Sequence, residues 1–137
     1  MSHAELRFAC TDDSRTDYGF EPFLRILLDA DPSLIDSSWR AEQGAWGYGE
    51  YVCELEEGLN ASSPAPVKLI DVLSALERGE YFYDLTLVRE TDDLQLDVFD
   101  STFLILSGPA ETVGRLGQVV ETSNLFARVE QNDEPAQ

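Results

Sequence analysis

The alternation that decides the fold lies in YFYDLTLVRETDDLQLDVFDSTFLILSG, residues 81–108. Apolar Leu85 and Leu87 occupy alternate positions between polar neighbours. Because successive side chains of a strand point to opposite faces of the sheet, this period of two predicts a half-buried antiparallel strand. The alternation recurs over residues 94–98, and the apolar run 103–106 predicts a third strand buried on both faces or nearly so. The segment therefore predicts a three-stranded meander at the core of the sheet.

The rest of the chain supplies further strands and amphipathic helices. Alternating patterns predict strands over residues 5–10, 45–56 and 125–129. Proline in the first turn and apolar residues at helical spacing predict helices over residues 21–30, 63–78 and 109–123. Together these elements predict an α+β fold, with a mainly antiparallel sheet of about five strands and two or three helices packed on one face. We expect a single domain over residues 1–130 and a disordered acidic tail over residues 131–137.

The charge of the chain restricts its partners. Its 137 residues include 27 acidic and 9 basic side chains, which give a formal charge of −18 and a pI near 4.1. A field of this sign repels nucleic acids and anionic membranes and attracts basic surfaces, so we expect no direct nucleic-acid partner and no membrane partner. Solubility alone, or adaptation to high salt, would also produce an acidic surface in which Lys68 is the only lysine.

The start of the chain and its cysteines indicate a cytoplasmic protein. The first ten residues, MSHAELRFAC, lack a basic region followed by an apolar run, so we expect no signal peptide. No stretch approaches the roughly 20 apolar residues of a membrane span. Cys10 and Cys53 each alternate with apolar neighbours, so we expect both thiols to be reduced and buried in the core.

The sequence lacks the residues that most catalytic and cofactor sites require. His3 is the only histidine, which removes the base of a Ser-His-Asp or Cys-His site and excludes zinc sites built from several histidines and cysteines. No phosphate-binding loop or dinucleotide fingerprint occurs. Asp92, Asp93 and Asp97 lack the glycine and glutamate positions of a calcium loop. We expect no cofactor, no metal and no enzymatic activity, with a small carboxylate enzyme as the open alternative.

The candidate binding surface combines aromatic and acidic side chains. On the strand predicted over residues 45–56, Trp46 and Tyr48 share one face with three glutamates. Carboxylates spaced by about 6 to 7 Å along a strand match the phosphates of a nucleic-acid strand, and Tyr83 is a further candidate for the aromatic anchor. The candidate partner-binding residues are Trp46, Tyr48, Glu50, Glu54, Glu56, Asp84, Asp92, Asp93 and Asp97. Alternatively, Trp46 and Tyr48 fold over the sheet edge into the core and the glutamates form a solvated face.

These features favour a non-enzymatic binding protein that inhibits or neutralises a basic protein, such as a nuclease toxin or another nucleic-acid-binding protein. Bacterial immunity proteins and DNA-mimic proteins are of this type, and the likeness rests on size, charge and the lack of a catalytic set. The alternative from another class is an accessory or structural subunit that forms an oligomer, either with copies of itself or with another protein. Its acidity would then serve solubility or salt adaptation.

Overall fold

The computed structural model describes residues 3–10, 19–58, 66–99 and 103–129, without the side chains at positions 43 and 44. The polar composition of residues 11–19 and the small residues and prolines of residues 58–66 predict loops. Both segments lie mainly outside the described residues, and the predicted tail at residues 131–137 lies wholly outside them.

Within the described residues the chain forms six strands and five helices. The strands are β1 (His3–Cys10), β2 (Trp39–Tyr48), β3 (Tyr81–Arg89), β4 (Gln95–Phe99), β5 (Phe103–Pro109) and β6 (Phe126–Val129). The helices are α1 (Phe20–Ala30), α2 (Ser33–Asp36), α3 (Glu50–Gly58), α4 (Leu69–Glu77) and α5 (Ala110–Thr122). All strand pairs are antiparallel, in the order β2-β3-β4-β5-β1-β6. The predicted α+β class is confirmed, but the sequence predicted too few strands and too few helices.

Two rows of apolar side chains cross the sheet on one face, called the inner face below. The first row is Leu87, Leu96, Leu106 and Leu6, one each from β3, β4, β5 and β1. The second row is Leu85, Val98, Leu104 and Phe8. All of these except Leu6 are buried, which confirms the predicted meander. On the other face of β5, where the sequence predicts a strand buried on both faces or nearly so, Phe103 and Ile105 are half-buried.

Helices α1 and α5 pack on the inner face. The ring centroid of Phe23 in α1 lies 6.0 Å from that of Phe8 and 5.5 Å from that of Phe126. Helix α5 approaches β1 at Gly117, where the nearest side chain is Leu6. Helix α4 packs beside α1, and its buried residues belong to the same core. The opposite face of the sheet, called the outer face below, carries polar side chains such as Thr86 and Asp97 together with apolar ones such as Ile105.

Helix α4 begins later than the sequence predicts. We expected it to start at Ser63, but the first helical residue is Leu69. Val67 instead forms a bridge with Trp39, in which the two residues exchange backbone hydrogen bonds of 3.0 and 2.7 Å. Pairing with the buried start of β2 therefore holds this part of the chain extended.

Residues 50–58 form helix α3, so the strand predicted as far as Glu56 is wrong. The chain leaves β2 at Gly49, whose φ of 131° is a conformation that favours glycine. Val52 is buried while Tyr51 and Leu55 are half-buried, which is a helical pattern rather than an alternation. Cys53 is exposed, contrary to the prediction that it is buried. Apolar residues at 51, 52 and 55 fit a helix as well as those at 51, 53 and 55 fit a strand, so the pattern alone was ambiguous.

Two glycines in α5 give a matched test of how the helix packs on the sheet. A Cβ atom at Gly114 would have no neighbour within 4 Å, whereas a Cβ atom at Gly117 would overlap Leu6 Cδ1. Gly114→Ala should raise the free energy of unfolding by about 1 kcal/mol through helix propensity alone. Gly117→Ala should gain clearly less, because Leu6 must move. Urea denaturation of both variants measures the difference, and equal gains would contradict the close approach of α5 to β1.

Candidate functional site

Four aromatic rings form a continuous row at one end of β2 and β3. This aromatic row consists of Trp46, Tyr83, Tyr81 and Tyr48. Neighbouring ring centroids in the row are 4.5 Å apart for Trp46 and Tyr83, 5.2 Å for Tyr83 and Tyr81, and 5.6 Å for Tyr81 and Tyr48. These separations lie in the range in which aromatic pairs attract one another beyond simple burial of area.

A β-bulge brings the aromatic row onto the outer face. Trp46 pairs with Asp84 and the next residue, Gly47, pairs with Phe82, so Tyr83 is an extra residue in β3. At such a bulge two successive side chains of the longer strand lie opposite one residue of its partner. Tyr83 and Asp84 therefore both face Trp46, while Phe82 is buried in the core.

Hydrogen bonds hold the rings in place. The Trp46 indole N–H donates to Asp84 Oδ2 at 2.9 Å, and the hydroxyls of Tyr81 and Tyr83 are hydrogen-bonded at 3.1 Å. The bond to Tyr83, together with desolvation, raises the pKa of Tyr81 above its usual value. Side chains fixed in this way lose little rotational freedom when a partner binds.

The outer members of the row are open to solvent. Trp46 is 49% exposed and Tyr48 is 63% exposed, although both rings have an aromatic neighbour. The other tryptophan, Trp39, is fully buried, with its indole N–H directed at the carbonyl oxygen of Leu34 at 3.4 Å. The interpretation in which Trp46 and Tyr48 fold into the core is therefore wrong.

The three glutamates of the candidate surface lie on a helix rather than on a strand. Glu50, Glu54 and Glu56 are all exposed on α3, which begins two residues after Tyr48. Glu50 and Glu54 are one turn apart, about 6 Å along the helix axis, whereas Glu56 points about 120° away from Glu50. The prediction of a carboxylate strip along one strand face is therefore wrong, because these three glutamates do not lie on a strand.

The carboxylate of Glu80, which the sequence patterns do not indicate, holds α3 against the start of β3. Glu80 Oε1 accepts hydrogen bonds from the backbone N–H groups of Tyr51 at 2.9 Å and Val52 at 3.3 Å. Glu80 Oε2 accepts a hydrogen bond of 2.9 Å from Arg78. A side chain 29 residues away from Tyr51 thus caps the first turn of the helix, where negative charge is favoured.

The acidic surroundings of α3 affect the phenol of Tyr51. Burial, followed by the negative charges of Asp71, Glu54 and Glu80, raises the pKa of Tyr51 to about 12. Deprotonation would place another anion in a region that is already negative.

The four candidate aspartates have different surroundings. Asp84 contacts Trp46 directly, and Asp97 accepts hydrogen bonds from Thr86 at 2.6 Å and from Gln95 at 2.9 Å on the outer face. Asp92 and Asp93 lie in the β3–β4 turn, at the opposite end of β3 from the aromatic row.

Asp92 already has a structural role in that turn. It forms a two-point ion pair with Arg89, with distances of 3.0 and 2.9 Å, and accepts the backbone N–H of Leu94 at 3.2 Å. The hydrogen bond from Arg89 holds the pKa of the Asp92 carboxyl below its usual value. The structure therefore brings the predicted residues Trp46, Tyr48, Tyr83 and Asp84 together, adds Tyr81, and leaves Asp92 and Asp93 apart.

Two open grooves lie on the helical side of the molecule. One, of about 610 Å³, runs between α1 and α5, and the other, of about 480 Å³, is lined by α1, α2 and α4. Among the described residues, Asp29 is the one carboxylate that lines either groove, so these residues form no acid pair in either. The part of the chain that the structure describes contains no cluster of three or more histidine, cysteine, aspartate or glutamate side chains arranged to hold a metal ion.

Comparison with known proteins does not identify a relative. No family model matches the sequence, and neither a curated protein nor a solved structure is significantly similar to it. Among the described residues, no helix has the length and apolar composition needed to cross a bilayer.

The cap on α3 gives a second prediction. Glu80→Ala should lower the free energy of unfolding by about 1 to 3 kcal/mol, because two partly buried N–H groups lose their acceptor. Native-state hydrogen exchange should show the amides of Tyr51 and Val52 losing protection. The control is Glu54→Ala in the exposed part of the same helix, which should change stability by less than about 0.5 kcal/mol. If the two substitutions have the same effect, Glu80 is not the cap.

Proposed function

We propose that this protein is a non-enzymatic binding protein that neutralises a basic protein partner through the outer face of its sheet. The aromatic row carries the proposal, since it is exposed, rigidly held and bordered by Asp84 in a chain of formal charge −18. We place the interaction in the cytoplasm and assign the protein to the functional type of immunity proteins and DNA mimics.

The aromatic row has the composition of an interface centre. Tryptophan and tyrosine are enriched among the residues that dominate binding energy, because they offer large contact areas with few rotatable bonds. Their ring faces also attract cations, with about 0.5 to 2 kcal/mol per contact. Trp46 is 49% exposed and Tyr48 is 63% exposed, so both rings are open to such contacts.

The charge determines which partner this surface favours. A net charge of −18 accelerates the approach of a basic protein and disfavours a second copy of the same chain. Glu50 is exposed at the start of α3, two residues after Tyr48, so it adds negative charge close to the aromatic row. A basic partner is therefore complementary to the surface both in its centre and at its border.

The edges of the sheet are poorly suited to the alternative of an oligomer joined strand to strand. Edge strand β2 is irregular, with register shifts on both sides of Trp46. The other edge strand, β6, contains four residues. Irregular or short edge strands are poor templates for pairing with another chain. An oligomeric accessory subunit would have to use the aromatic row instead, and two copies of it carry like charges.

The test is affinity capture from a lysate of the source cells, with elution along a salt gradient. We expect the unaltered protein to retain a basic protein that is released as salt rises. The double substitution Trp46→Ala and Tyr48→Ala should weaken this binding by about 30-fold or more, because truncation of a central anchor typically costs 2 kcal/mol or more.

The matched control replaces two exposed apolar residues on the helical side, Ile70→Ala and Val119→Ala, and leaves the net charge unchanged. It should retain the basic protein as the unaltered chain does. Equal retention by both double variants would remove the aromatic row from the interface. A protein that forms stable dimers at high salt and loses them with the Trp46 and Tyr48 substitutions would favour the oligomeric subunit instead.

A further inference from the structure

Two ring faces of the aromatic row point away from the protein at a fixed spacing. Trp46 packs on Tyr83 with an angle of 37° between the ring planes, and Tyr48 packs on Tyr81 with an angle of 24°. Each of these two β2 residues therefore has one face against a ring of β3 and retains a large exposed surface. Because they are two positions apart in the same strand, the Cα atoms that carry the two rings are about 6 to 7 Å apart.

We propose that the two rings receive two arginine side chains placed two residues apart in an extended segment of the partner. This inference rests on the proposed function and specifies the chemistry of the partner. In an extended chain, side chains at positions i and i+2 point the same way with the same period as in β2. Two guanidinium groups on such a segment would meet Trp46 and Tyr48 at once.

Arginine fits the exposed rings better than lysine does. The guanidinium group is planar, so it stacks on an aromatic face and continues the existing pairs of Trp46 with Tyr83 and Tyr48 with Tyr81. It is also less strongly hydrated than an ammonium group, which lowers the cost of removing water at the ring. A lysine presents a compact charge without a plane that could stack.

The electrostatic surroundings disfavour two other ligands that could bind an aromatic row, nucleic-acid bases and uncharged apolar segments. Nucleic-acid bases also stack on such rings, but their phosphates would meet a chain of charge −18. The carboxylate of Asp84 borders Trp46, and Glu50 lies two residues beyond Tyr48 at the start of α3. Carboxylates at both ends of the pair of rings complement two positive charges rather than an uncharged apolar segment.

The experiment uses three synthetic peptides of equal length and net charge in the same serine-rich sequence. The first contains Arg-Ser-Arg, the second Lys-Ser-Lys and the third Arg-Ser-Ser-Arg. Binding is followed by tryptophan fluorescence, in which Trp46 is the responsive residue because the only other tryptophan, Trp39, is fully buried. Calorimetry measures the same peptides against Tyr48→Ala, a substitution at a side chain that is 63% exposed.

We expect the Arg-Ser-Arg peptide to bind at least fivefold more tightly than each of the other two. Tyr48→Ala should remove this preference, since only one ring would remain. Equal affinity for all three peptides, or no binding of any of them, would overturn the inference. That failure is distinguishable from failure of the proposed function, because retention of a basic protein through Trp46 and Tyr48 would still be seen in the capture experiment.

Discussion

The alternation of side chains in the β3–β4–β5 meander is the constraint on which the rest of the structure depends. It gathers leucines on the inner face, where α1 and α5 bury them, and the same geometry sends the remaining side chains to the outer face. A slip of one residue would exchange the two faces along a whole strand. The aromatic row depends on the pairing of β3 with β2, because the bulge at Tyr83 is what turns Tyr83 and Asp84 together toward Trp46.

The elements that could be predicted from the sequence are those whose pattern is local and unambiguous. The meander, helices α1 and α5 and the final strand follow from periodicity and from proline near the helix starts. Helix α3 could not be predicted, because its apolar residues fit both periods. The turn at Gly49 and the cap from Glu80 favour the helix over the strand. Because Glu80 lies 29 residues from Tyr51, its contact leaves no signal in the local sequence.

The candidate site was predicted only in part, because some of its contacts also depend on residues that are distant in the sequence. Trp46, Tyr48 and Asp84 do come together, as side chains on one face of paired strands should. Tyr81 was missed. The triplet at residues 81–83 has one tyrosine on each side of a phenylalanine, a pattern that indicates an aromatic face opposite the core. The engagement of Asp92 by Arg89 depends on the shape of the β3–β4 turn, which composition does not reveal.

Charge and aromatic surface have separate roles in the proposed interaction. The net charge acts at long range, so it affects the rate of association and is screened by salt. The rings act at contact and determine how long the partner stays bound. Because hydrogen bonds already hold Trp46, Tyr81 and Tyr83, little ordering of these three rings remains for the partner to impose.

The most direct test of this account is the indole region of a proton–nitrogen correlation spectrum. The chain has two tryptophans and therefore two indole N–H signals, one from buried Trp39 and one from half-exposed Trp46, which the Trp46→Phe variant assigns. On titration with an arginine-containing basic peptide, we predict that the Trp46 signal moves to saturation while the Trp39 signal stays in place. A saturating peptide that leaves the Trp46 signal unmoved would contradict the assignment of the outer face as the binding surface.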